Sequence, residues 1–170
     1  MPRPARLRGF TLIELLVTLV IAGLLLALAV PSFNRLMISS RLTTQANNAV
    51  SLLAQARTEA VKRRMDVQLN ADGSMFAIPA QGASVPITQA APVSAGITST
   101  PAVQSLVATP MGLLKQLNAT TGYTGLVLDL SSNAISSDNH RCIYLYTGTT
   151  VASCTDSQSC KADAPNANCK

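Results

Sequence analysis

The chain has 170 residues, 48% of them hydrophobic and 12% charged, with no Trp and a formal charge of +5. That suffices for one small head once an apolar terminal segment is set aside, and the few aromatics argue against a base-stacking platform for single-stranded nucleic acid. The charge says little about partners: Arg3, Arg6 and Arg8 precede the first apolar run, and without them the thirteen basic residues fall to ten against eight acidic ones.

The run from Phe10 to Val30 carries one charge, Glu14. As a helix these residues span roughly 31 Å, the thickness of a bilayer hydrocarbon core of about 30 Å. A lone carboxylate there costs about 3 kcal/mol on insertion scales, so Glu14 calls for a partner and reads as functional. Arg3, Arg6 and Arg8 hold the preceding segment on the cytoplasmic side by the positive-inside rule. Ala27-Leu28-Ala29 before Val30 has the small-residue pattern of a secretory cleavage site. The apolar run before it is longer than the usual 7 to 15 or so residues and contains a carboxylate, which weighs against that reading. A plain amino-terminal membrane anchor is a third reading.

The segment Arg8-Gly9-Phe10-Thr11-Leu12-Ile13-Glu14-Leu15-Leu16-Val17 closely resembles the cleavage and assembly motif of type IV prepilins and type II secretion pseudopilins. The resemblance implies cleavage between Gly9 and Phe10 by a prepilin peptidase, N-methylation of Phe10, and docking of Glu14 against the positive amino terminus of a neighbouring subunit. Gly23 and Pro31 fall where pilin helices carry a glycine and a proline, both of which weaken a helix locally. The expected organisation is a leader at 1–9, a transmembrane or filament-core half-helix at 10–30, an amphipathic half-helix at 31–64, and a β-rich head at 65–170.

Beyond Pro31 the helical period continues through Leu42, Ala46, Ala49, Leu53, Ala56 and Ala60, a stripe expected to lie on a sheet. Lys62, Arg63 and Arg64 close the helix, where cations complement the carbonyl end of the dipole. The segment from Ala49 to Arg63, with the Val67-containing strand after it, looks like the FimT/GspH-type minor pilins and pseudopilins. The two resemblances together cover about the first 70 residues. They imply an α+β, pilin-like fold: a long amino-terminal helical stem, transmembrane in its first half, packed on a small antiparallel β-rich head.

Val67 and Leu69, the Asp72-Gly73 turn, and Met75, Phe76 and Ile78 form a predicted hairpin. Prolines at 79, 86, 92, 101 and 110 break the next stretch into loops, with short edge strands expected at 85–88 and 103–108. Leu126, Leu128 and Leu130 share one face of a strand expected to meet the helix. Strands at 142–146 and 150–154, paired about Thr147-Gly148-Thr149, set Cys142 opposite Cys154. A bridge between those two is expected, leaving Cys160 to Cys169 across a polar tail. An even cysteine count in an exported segment favours disulfides, and the spacings match neither a Cys-x-x-Cys pair nor a zinc ribbon. With a single histidine, His140, the ligand types point to no metal.

The reading is a structural, non-enzymatic minor pilin that primes assembly of, or caps, a type IV pilus. It needs no cofactor and has other minor and major pilins and the prepilin peptidase as partners. It is stored in the inner membrane with its head on the periplasmic side, then placed in the pilus, at or near the tip. One alternative is a DNA receptor of a competence pilus, for which Arg63, Arg64, Arg141, Lys161 and Lys170 are the available cations; they are scattered, so only weak binding is expected. The other is a secretion pseudopilin, which shares the amino-terminal motif. Ser136, Ser137, Asp138 and His140 invite a hydrolase reading, but adjacent residues of a polar turn do not make a converging triad.

Overall fold

A computed structural model describes residues 10–90 and 92–161. Helix α1, Leu12–Arg63, contains Pro31, and the chain divides into two compact units after Met37. In the first unit every described side chain is exposed, and the helix is long and apolar enough to cross a membrane. In the second, the helix buries Leu42, Ala46, Leu53, Ala56 and Ala60 on one stripe, with Ala49 partly buried against the same core. Those are the residues that the period assigned to the sheet-facing side.

The last turn of the helix carries a cluster of opposite charges. Glu59 accepts a 2.7 Å hydrogen bond from Arg63 and lies 3.8 Å from Lys62. Arg63 holds the Glu59 carboxyl below its usual range, with the charge of Lys62 adding to the effect. Arg64 then takes a left-handed conformation, φ 55°, and ends the helix.

Among the described residues nine strands follow: β1 (Asp66–Asn70), β2 (Met75–Ile78), β3 (Val85–Thr88), β4 (Thr98–Pro101), β5 (Ser105–Ala108), β6 (Leu114–Gln116), β7 (Gly125–Ser131), β8 (His140–Tyr146) and β9 (Thr150–Asp156). They form two antiparallel sheets, ordered β3-β2-β1-β5-β6 and β4-β7-β8-β9. The fold is α+β and pilin-like. The stripe on α1 shares one core with Val67, Met75, Leu106 and Leu114 of the first sheet and Leu130, Ile143 and Leu145 of the second.

The β1–β2 turn is built by Asp72, whose carboxylate accepts hydrogen bonds from the backbone N–H and hydroxyl of Ser74 at 2.8 and 2.6 Å. These bonds keep the Asp72 carboxyl below its usual range. The 103–108 segment, expected at an edge, is β5 and runs centrally between β1 and β6. No proline falls within Ser105–Ala108, so both of its edges are free to pair. The strand with Leu126, Leu128 and Leu130 does not keep one face: its register against β8 shifts between Leu126 and Leu128. Leu130 enters the core shared with the helix, whereas Leu126 joins a second, smaller cluster with Cys142, Tyr144 and Cys154. A bulge carries an extra residue, and each extra residue reverses the faces beyond it.

The β8–β9 turn locks the head together. Gly148, at φ 70°, accepts a backbone hydrogen bond from Leu114 and donates one to Tyr123, both 2.8 Å. Its carbonyl also accepts a bond from the Arg57 guanidinium at 3.2 Å. A Cβ at Gly148 would lie 2.4 Å from the carbonyl oxygen of Leu114, so glycine is needed for both space and dihedral.

Candidate functional site

The amino-terminal end of α1 is set by its own side chains. Thr11 stands before the first helical residue, and its hydroxyl accepts a 3.3 Å hydrogen bond from the Glu14 backbone N–H. Its carbonyl accepts the first helical bond, from Leu15 at 3.2 Å. Thr-x-x-Glu ahead of an apolar run is the capping-box spacing, and it places Glu14 in the first turn, where the helix dipole favours an anion. That signal lies in the sequence within the assembly motif itself. The Glu14 side chain has no ion-pair or hydrogen-bond partner among the described residues. Phe10 is 83% exposed. Gly9, on the other side of the expected cut, lies outside the described residues.

On the head, the cations available for DNA separate. Arg141 is corrected: it is 8% exposed, and its guanidinium is used internally. It donates to the backbone carbonyls of Asp138 and His140 at 2.7 and 3.1 Å and to the Ser39 hydroxyl at 3.2 Å, joining the β7–β8 loop to the helix. Burial lowers its pKa, with Asp138 partly restoring it. Arg63 is ion-paired to Glu59. Arg64 and Lys161 are exposed, and Lys170 lies outside the described residues.

The cysteine pairing is also corrected. Cys142 and Cys154 are direct partners in the β8–β9 register, as the turn symmetry required, but Cys142 is bonded to Cys160 instead, with Cα atoms 5.5 Å apart. Cys154 is disulfide-bonded as well. Cys160 is therefore not paired to Cys169, which lies outside the described residues. Directly opposed strand residues hold their Cβ atoms about 4.5 to 5.5 Å apart, wider than the roughly 3.8 Å of a disulfide. A segment crossing over the sheet can approach more closely. Residues 157–161 do so here: besides the bridge, the Tyr144 hydroxyl donates a 2.7 Å hydrogen bond to the Lys161 carbonyl.

The same face carries a pair that sequence reasoning missed. His140 Nδ1 lies 2.8 and 3.1 Å from the two carboxylate oxygens of Asp129, both side chains about 15% exposed. His140 thus turns to Asp129, not to Asp138, whose carboxylate accepts a bond from Ser157. The residues of the apparent triad do not converge. Spacing along β8 alone puts His140, Cys142 and Tyr144 on one face; placing Asp129 there needs the β7–β8 register.

A groove of about 480 Å³ opens elsewhere in the head, lined by Ala49, Leu52, Leu69, Val103, Val127 and Leu128 among others. Its one ionisable residue, Asp72, is engaged by Ser74. The groove offers apolar contact rather than chemistry.

Two family models match the chain. Residues 5–30 match the prokaryotic N-terminal methylation motif, and residues 45–155 match type II transport protein GspH. The chain belongs to the GspH family. The GspH match runs from within the second half of α1 to the next-to-last residue of β9, and the methylation motif reaches through α1 to Val30. No curated protein and no solved structure gives a significant match. GspH-family membership with a methylation motif makes this a pilin or pseudopilin of the GspH/FimT type, in a family that is structural rather than enzymatic. It implies assembly with other pilins and processing by a prepilin peptidase, and it fits inner-membrane anchoring through the apolar helix.

Proposed function

We propose that the chain is a minor pilin, a structural subunit that primes assembly of, or caps, a type IV pilus. In this reading it is cut between Gly9 and Phe10, methylated on Phe10, and held in the inner membrane by residues 10–30. The leader faces the cytoplasm and the head the periplasm until extraction, and the subunit ends at or near the pilus tip. The observation that carries the reading is Glu14: one carboxylate on an exposed apolar helix, without a partner among the described residues. Two buried opposite charges, Glu14 and a neighbour's methylated amino terminus, offset each other's desolvation, while either alone costs about 3 to 5 kcal/mol. The chain would then be stored as a monomer in lipid and drawn into the filament when the partner charge arrives.

The test is Glu14→Ala in a strain lacking the gene. The variant should insert, begin at N-methyl-Phe10 and keep the melting temperature of its head, yet be lost from sheared pili by tenfold or more on immunoblot. Normal incorporation would overturn the charge-pairing role, and a mature terminus at Val30 would overturn the processing.

A second reading, a type II secretion pseudopilin, is favoured by the family description itself. Complementation separates the two: rescue of piliation supports the pilus, and rescue of protein export supports the pseudopilus. DNA capture has weaker support, since Arg141 is buried in the head and Arg63 is neutralised by Glu59.

A further inference from the structure

The outer face of the second sheet brings together three unlike donors. One ligand atom each from Asp129, His140 and Cys160 all lie within 4.8 Å of one another, and all three residues are partly buried. The fourth member is Cys142, the register partner of Asp129 across β7 and β8 and the residue to which Cys160 is bonded. In the oxidised protein both sulfurs are committed to each other and cannot ligate, because thiolates bind metals and disulfides do not. The Asp129 carboxylate and the His140 imidazole nevertheless remain side by side, 2.8 Å apart.

We propose that these four side chains form a divalent-metal site of the zinc type that the Cys142–Cys160 disulfide keeps closed and reduction opens. An external dithiol supplies two electrons and two protons: its own sulfurs join, the Cys142–Cys160 bond breaks, and two thiols form. Zn²⁺ then binds both sulfurs as thiolates, releasing their two protons to solvent, together with a nitrogen of neutral His140 and a carboxylate oxygen of Asp129. One nitrogen, one oxygen and two sulfurs suit four-coordinate zinc, whose bonds of about 2.0 to 2.3 Å set donors roughly 3.3 to 3.8 Å apart. The donors already in place need to draw in by about 1 Å, and the sulfurs, freed from a 2.02 Å bond, need to part. His140 and Cys142 are two apart on one strand, Asp129 faces Cys142 from the next, and Cys160 is held over the sheet beside the Tyr144–Lys161 bond. Two strands and the segment crossing them thus assemble a ligand set that no sequence spacing displays. The head then has two alternative staples at one place, a covalent one when oxidised and a metal when reduced.

The test uses the full chain in detergent micelles, with Cys154→Ser and Cys169→Ser so that only Cys142 and Cys160 remain. After reduction and anaerobic removal of the reductant, Co²⁺ should bind one per chain with a thiolate-to-metal charge-transfer band. Zn²⁺ should displace it, and the oxidised chain should show neither. His140→Gln and Asp129→Asn should each weaken Zn²⁺ binding about 100-fold. Adding Cys142→Ser frees the Cys160 thiol without reductant and should give a weaker, single-thiolate band, which keeps the test valid if the reduced double-thiol chain loses its fold. The proposal is overturned if the reduced chain gives no charge-transfer band, if His140→Gln binds as tightly as the parent, or if the urea-unfolded chain binds equally well.

Discussion

Leu24 and Leu26 are more than 60% exposed, whereas Leu42 and Leu53 on the same helix are at most 2% exposed. The residue type and the backbone are alike; what differs is where the burial comes from. From residue 38 onward the chain supplies its own cover, with two sheets closing on the stripe of small and branched residues along α1. Up to residue 37 the described side chains have no such cover. In the proposed reading, stability and assembly are therefore written in different parts of one helix. A change in the head should move the unfolding midpoint and leave membrane insertion alone, whereas Glu14→Ala should leave both alone and reduce incorporation into pili.

The sharpest way to break that division is Gly148→Ala. The new methyl would meet the Leu114 carbonyl, and alanine would be forced to φ 70°, so a loss of about 3 kcal/mol in head stability is expected. Urea unfolding followed by near-ultraviolet circular dichroism measures it, with membrane insertion unchanged. Cys160→Ser comes next. Opening the ring from Cys142 to Cys160 should cost about 3 kcal/mol at most, mainly by freeing the unfolded chain. Before that measurement, non-reducing peptide mapping should join the Cys142 and Cys160 peptides and place Cys154 with the remaining cysteine, Cys169. A Cys142–Cys154 bridge would contradict the crossing of residues 157–161 over β8.

Arg141→Ala should cost about 2 kcal/mol, because it leaves the Asp138 and His140 carbonyls and the Ser39 hydroxyl without this donor. DNA retention at 150 mM salt should not change. A variant that lost DNA binding while keeping its stability would return Arg141 to the surface and revive the receptor reading. The smallest effect is a gain. Arg64→Gly removes a side chain from the left-handed position that ends α1 and should stabilise the head by up to about 1 kcal/mol, read as a higher melting temperature.

Much of the architecture is legible in the chain because it rests on local periods. The stripe from Leu42 to Ala60, the Asp72-Gly73 hairpin and the pairing of Tyr146 with Thr150 about Gly148 each follow from spacing and turn chemistry. The 85–88 strand is an edge strand, as a proline at 86 requires. What escaped depends on contacts far apart in sequence. β4 and β6 are three or four residues long, carry no alternating apolar signal, and exist because β7 and β5 pair with them. The bulge before Leu128 is invisible to a rule that counts residues. The strand register sets Cys142 opposite Cys154, but geometry along two strands says nothing about a segment folding back across them, and the bond forms to Cys160. Arg141 looked like a surface cation because charge is read from sequence and burial is not. Of the amino-terminal site, Glu14 stood out as the lone charge in an apolar run, whereas the Thr11 cap beside it needed the capping-box spacing to be seen.

The Cys142–Cys160 bond encloses the β8–β9 turn, where Thr147 and Thr149 are exposed, and the exposed residues 157–159. These are the places in that segment most open to a protease. A single cut at either one converts the chain into two pieces still covalently joined, with β9 held beside β8 by the bridge as well as by its ladder. The subunit can therefore be nicked on its outer face without shedding a strand, and such damage would appear as a smaller band only on a reducing gel.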